Sequence, residues 1–323
     1  MCHSLSDVPD IIDTWNEGKV VDVEGYYENA KINRVYVDRV HVKKTFAEYT
    51  AAYNADDPKI KLKIDHTYRV AALCERIAKA AGMCAYDVEL AWLSGMLHDV
   101  GRFEQIKRYN TFSDADSVDH AKFGADLLFK DGLISTFLNG MVKCTGYKPG
   151  ALEDRYGSDG VFLYDRLNKS DMEMLELAIR CHNMYRIPQG LNRREQAFCN
   201  VLRDADKVDI FKVNIDTPLE EIYNTTTEEL MKSDITDEVL EAFDEEHCIL
   251  KAIRRTPADT VIGHVSLAYE LVYDESVRIT VEQGYLAKLM HFHSDNEETN
   301  RKMAMVREKM DSYVKKRIGE KYA

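Results

Sequence analysis

The stretch Leu97–Arg102, LHDVGR, sets a histidine and an aspartate side by side behind an apolar run that includes Leu90 and Leu93. An ionisable pair in such a setting needs partners, because an unpaired charge out of water is costly. Four more residues meet that need. His66 shares a stripe with Leu62, Val70 and Leu73, and His120 with Phe123, Gly124 and Leu127. His182 shares one with Leu175, Ala178 and Ile179, and Asp206 with Cys199, Leu202 and Ile210. At helical spacing each stripe is the inward face of a helix. Any one such histidine is more often a hydrogen-bonded core residue. Six titratable groups turned into one core need a common partner, and a metal cation accepts neutral imidazoles and ionised carboxylates together. Asp99, beside His98, is placed to bridge two ions, and the lack of cysteine among the six argues against a purely structural zinc site.

The elements that must position these residues are helical. Periodicity predicts helices over Lys61–Ala81, over Tyr86–Val100 with an end near Gly101, and over Ser117–Phe129. Further helices are expected over Met172–Met184, Arg193–Val213 and Glu297–Ile318. His98 has Ala91, Ser94 and Gly95 on its face, small residues that let another helix approach. Residues 139–170 hold GYKPG and YGSDG and read as a long insertion or surface loop. Residues 1–40 alternate weakly, as in a short strand or hairpin. The expected order is an N-terminal segment at 1–42, a main helical domain at 43–215, and an acidic helical extension at 216–323 packed on it. The class is all-α.

Of the 323 residues 31% are charged and 45% hydrophobic, ordinary for a soluble globular protein. The net charge of −13 repels polyanions at long range, so no extended nucleic-acid partner is expected, and an anionic ligand needs a local basic site. No apolar run approaches the roughly 20 residues of a membrane span, and Met1–Asp10 lacks a signal-peptide pattern, which makes the cytoplasm the expected compartment. The seven cysteines include no C-x-x-C pair; Cys74, Cys181 and Cys199 read as small core residues. The sequence leaves a homo-oligomer open.

The order His66, His98-Asp99, Asp206 resembles the HD superfamily of metal-dependent phosphohydrolases, with Asp206 matched through DADKVD. His120, in DHAKFGADLLF, and His182, in AIRCHN, resemble the extra ligands of its two-metal branches. The likeness covers roughly residues 45–215 and implies an HD-domain helical bundle. It also implies one ion held by His66, His98, Asp99 and Asp206, with Asp99 bridging to a second on His120 and His182. The ions implied are divalent transition metals: Mn, Fe, Ni, Co or Zn. The branch that cleaves cyclic di-GMP carries a further histidine and a Gly-Tyr-Pro turn where this chain reads His182-Asn183-Met184-Tyr185-Arg186-Ile187-Pro188, so that substrate is not implied.

Basic residues cluster in sequence beside the ligands: Arg102, Lys107 and Arg108 before His120, then Lys122, Arg186 and Lys207. Arg102 stands where many two-metal members carry a basic residue and suits bidentate phosphate binding. Lys107, Arg108, Lys122 and Arg186 are further candidates to hold substrate. The expected catalytic set is Asp99, Arg102 and Lys122. Asp114, Asp116 and Asp119 read equally as carboxylates orienting His120 or as loop and cap residues. Asp209 either steadies Asp206 or faces solvent. His3, His41, His247, His264, His291 and His293 fall outside the ligand order. The expected activity is hydrolysis of a nucleotide or other small phosphate ester by a metal-activated water. A mixed-valence di-iron oxygenase resembles the same ligand set, and a nucleotide-binding sensor with weak activity is a third reading.

Overall fold

A computed structural model describes residues 37–54, 56–138, 142–143, 161–162 and 169–319. The strand or hairpin expected in residues 1–40 and most of the 139–170 insertion lie outside them. The described chain is all-α, apart from one two-residue antiparallel pair, β1 (Val142–Lys143) with β2 (Val161–Phe162). Among the described residues no helix is long and apolar enough to cross a membrane. The chain divides into two compact units, one up to Cys199 and one from Asn200.

The first unit holds α1 (Arg39–Thr50), α2 (Pro58–Ala80), α3 (Ala85–Leu97), α4 (Val100–Tyr109), α5 (His120–Ala125), α6 (Leu133–Leu138), α7 (Lys169–Cys181) and the start of α8 (Arg193–Asp216). Asp57 caps α2 through the Lys59 amide, and Pro58 fills the first turn, where its missing N–H costs nothing. The inward face of α2 carries Ile60, His66, Val70, Leu73 and Ile77, all buried. It packs along α3, whose residues are buried almost throughout. Gly95 permits this contact: a Cβ there would stand 2.6 Å from the Ala71 Cα. Phe46 and Phe103 meet edge-on at 5.8 Å, with Tyr49 and Tyr53 beside them.

One boundary differs from the sequence expectation. The second helix does not run to Gly101 but stops at Leu97, and α4 begins at Val100. Asp99 departs from helical geometry at φ −106°, ψ 14°. Gly101 is not a stop signal. It lies inside α4, where a Cβ would stand 2.5 Å from the His120 carbonyl oxygen and 2.7 Å from the Gly124 nitrogen. Here α4 and α5 cross backbone to backbone. The third predicted helix is also shorter, starting at His120 with Asp119 as cap, and it passes into a π-helical turn over Asp126–Lys130.

The second unit holds the rest of α8, then α9 (Leu219–Tyr223), α10 (Thr227–Lys232), α11 (Asp237–Asp244), α12 (Pro257–Val265), α13 (Asp274–Gln283), α14 (Tyr285–Met290) and α15 (Glu297–Ile318). Reciprocal Thr–acid capping boxes open α10 and α12. Asp204 on α8 is fully buried and accepts from the Val272 and Tyr273 amides and the Ser276 hydroxyl, holding the start of α13. Asp209 is buried too.

Candidate metal centre

His66 comes from the middle of α2, and His98 and Asp99 from the break between α3 and α4. His120 opens α5, and His182 follows the last residue of α7. All five are buried, with Asp99 2% exposed. Their donor atoms fall into two groups. His66, His98 and Asp99 bring one atom each to within 4.8 Å of one another, and so do Asp99, His120 and His182. Asp99 is common to both. Its Oδ2 lies 3.6 Å from the Nε2 atoms of His66 and His98, and its Oδ1 lies 3.5 Å from His120 Nε2 and 3.8 Å from His182 Nε2. Each carboxylate oxygen thus serves one pair of rings.

The far nitrogens of three rings fix their tautomers. His98 Nδ1–H donates to the Gly95 carbonyl at 2.8 Å and His182 Nδ1–H to the Ile179 carbonyl at 2.7 Å. His120 Nδ1–H donates to Asp114 Oδ2 at 2.7 Å. A carbonyl or carboxylate only accepts, so in each neutral ring the Nε2 lone pair is turned inward. The Nε2 atoms of His120 and His182 face each other at 3.1 Å, and those of His66 and His98 at 3.3 Å. In the His120–His182 pair both lone pairs face each other and repel, and a cation between them would turn that repulsion into coordination. The donor set fits divalent metal ions.

Electrostatics favour the same state. Burial, then the Arg102 charge, push His120 down to about 4 against the pull of Asp114 and Asp99, so its ring is neutral at physiological pH. Burial alone would raise the carboxyl of Asp99, but the charges around it, Lys63 foremost, hold it well below the usual range. Asp114 is likewise held low by its His120 hydrogen bond and by Arg102, despite burial. Asp114, Asp119 and His120 form a third, more exposed group. Its carboxylates are already engaged: Asp114 by His120, Arg102 and Gln105, and Asp119 by Lys122 and Asn183.

Arg102 is 14% exposed in its side chain. Its Nη1 donates to Gln105 Oε1, the Phe112 carbonyl and Asp114 Oδ1. Its buried Nε stands 3.8 Å from Asp99 Oδ1 and donates no hydrogen bond among the described residues. Glu104, two residues beyond Arg102, takes Tyr53, Lys107 and Arg108 instead. The other basic candidates point to surface partners. Lys107 and Arg108 pair with Glu104, Lys122 pairs with Asp119 at 2.9 Å, and the Arg186 guanidinium lies over the exposed Tyr185 ring. Among the described residues none of these four makes an ion pair with Asp99. Asp206 lies on α8 within the second unit, half-buried beside Lys207.

Two partners of the cluster escaped the sequence reading. Lys63 donates to Asp99 Oδ2 at 2.8 Å, and Gln105, fully buried, ties Asp114 to Ser117 and the Val118 carbonyl. Lys63 precedes His66 by three residues, so helical spacing alone put the two on one face.

A buried set of four histidines and one aspartate, with the His98 and His182 rings anchored on backbone carbonyls, stands on an all-α scaffold and could hold metal ions. The family profile described as HD domain matches residues 64–255, more than half of the chain. The chain belongs to the HD domain family, a superfamily of metal-dependent hydrolases. No curated protein and no solved structure matches it.

Proposed function

We propose that this protein is a metal-dependent phosphohydrolase or phosphodiesterase acting on a nucleotide or other small phosphate ester. The observation that carries the reading is the division of Asp99 between two histidine pairs, Oδ2 toward His66 and His98 and Oδ1 toward His120 and His182. His66, His98 and Asp99 would hold one ion, with Asp206 as a further ligand on the strength of the signature order. Asp99, His120 and His182 would hold the second. When bound, such ions lower the pKa of a water and stabilise charge on a phosphoryl oxygen.

The chain's own residues do the rest. Asp114 keeps a proton on His120 Nδ1, so the opposite nitrogen remains a ligand. It also grips Arg102 Nη1 and holds the guanidinium in one orientation. The unused Nε–H beside Asp99 is then available to a phosphoryl oxygen, a charge-assisted contact that strengthens as charge develops there.

The test is metal analysis of anaerobically purified protein, joined to a phosphoester screen on wild type, Asp99→Asn and His291→Ala. Bound Mn, Co, Ni, Zn or Fe with phosphate release, both lost in Asp99→Asn and kept in His291→Ala, is the expected result. Iron with oxygen uptake and no phosphate release would overturn hydrolysis in favour of a di-iron oxygenase.

A further inference from the structure

Lys63 holds the central oxygen of the first histidine pair. Its Nζ lies 2.8 Å from Asp99 Oδ2, the same atom that stands 3.6 Å from His66 Nε2 and from His98 Nε2. The pair is largely shielded, with side-chain exposures of 18% for Lys63 and 2% for Asp99. A buried carboxylate needs a counter-charge, and the other cation in reach, Arg102, approaches only to 3.8 Å. A divalent ion that takes Asp99 Oδ2 meets an ammonium already there. At contact distance and low effective dielectric two cations repel strongly, so both cannot keep that oxygen without cost. The lysine stem can turn, and it has somewhere to turn to: Nζ is 5.7 Å from the centre of the Phe112 ring. The Arg102 guanidinium is 5.6 Å from the same ring, so both cations lie within reach of the Phe112 face.

We infer that Lys63 is a resident counter-ion that a divalent metal displaces from Asp99. The inference rests on the metal-centre reading above. In the metal-free protein the ammonium neutralises the shared carboxylate and keeps the buried cluster folded. On loading it gives up Asp99 Oδ2 and moves toward Phe112, where it adds positive charge beside the place an anionic substrate would occupy. The lysine therefore weakens metal binding while stabilising the empty site.

Calorimetric titration of Mn²⁺ into chelator-stripped full-length protein tests this, with melting temperatures of the stripped forms measured alongside. Lys63→Met should bind Mn²⁺ about tenfold tighter or more, since it removes a like charge from the ion's path. Its stripped form should melt below wild type. Lys63→Gln keeps a donor for Asp99 without the charge; it should gain affinity similarly with a smaller loss of melting temperature, and it serves should the methionine variant fold poorly. Wild type that binds Mn²⁺ while both variants bind equally or more weakly overturns the role of Lys63 and leaves the metal centre standing. Failure of wild type and both variants to bind Mn²⁺, Co²⁺ or Zn²⁺ overturns the metal centre and this inference together.

Discussion

At the scale of single residues the site is a problem in proton placement. Asp114 lies outside the two groups that share Asp99, yet its two oxygens decide what His120 and Arg102 can do: Oδ2 takes the ring proton and Oδ1 takes the guanidinium. Asp114→Asn replaces one of these acceptors with an amide donor, which favours the opposite tautomer of His120 and loosens Arg102. The expected outcome is metal affinity lower by roughly 10–100-fold with the fold retained. Calorimetry with circular dichroism checks both, and unchanged affinity would remove Asp114 from any supporting role. The residue scale is also where the sequence was least readable. His66, His98, His120 and His182 were legible because each lay on an apolar stripe in a recognisable order. Lys63 was not singled out, because a lysine one turn from a histidine usually faces water. Only the approach of α3 and α4 shows which of the many surface cations finds Asp99.

At the scale of elements the question is what holds five side chains from α2, α3, α4, α5 and α7 in one place. Two glycine contacts do much of it: Gly95 against Ala71 between α3 and α2, and Gly101 against Gly124 between α4 and α5. The second contact sets His120 against Asp99, since the His120 carbonyl itself lies over Gly101. Gly101→Ala puts a methyl carbon where backbone atoms stand 2.5 and 2.7 Å away, and backbone cannot step aside as a side chain can. Overpacking of this kind costs about 1–3 kcal/mol or more. Gly124→Ala meets Gly101 only at 3.0 and 3.4 Å and should cost less. Denaturant melts give the order, and a Gly101→Ala protein as stable as Gly124→Ala would refute the crossing. Helix existence was legible from periodicity, whereas this crossing was not. In the sequence Gly101 looks like a helix terminator; in the fold α3 ends at Leu97, Asp99 precedes α4, and Gly101 permits an approach. The acidic residues of α8 show the same limit, because Asp204 serves as a cap for a helix about 70 residues later, a pairing no local pattern encodes.

At the scale of the whole molecule, charge and pH come to the fore. With a net charge of −13, any anionic ligand would depend on a few inward cations, not on a basic surface. In the second unit burial, followed by the charges of Arg254 and Lys251, pushes His264 down to about 3. Its Nδ1 is buried and makes no hydrogen bond among the described residues, and its ring lies 5.5 Å from that of Tyr223. A histidine that titrates near 6.5 when unfolded and near 3 when folded binds its proton preferentially in the unfolded chain between those values. The stability it contributes is therefore full above about pH 6.5 and is lost as pH falls toward 3. His264→Phe should lose less melting temperature than wild type between pH 7 and pH 4.5, with Mn²⁺ binding at pH 7 unchanged. Parallel melting curves for the two proteins over that range would contradict the assignment.

The anchoring of the rings at Gly95, Ile179 and Asp114 also bears on time. An imidazole free at its far nitrogen can swing aside and release an ion by rotation about two bonds, a motion of nanoseconds when exposed. Here rotation of His98 or His182 must first break a hydrogen bond to the carbonyl one turn back on its own helix. Ring rotation therefore carries the added cost of one buried hydrogen bond, about 1 kcal/mol net, before the inward nitrogen can turn away. An ion held there would leave more slowly for each ring so tethered, with the carbonyls at the ends of α3 and α7 as the tethers.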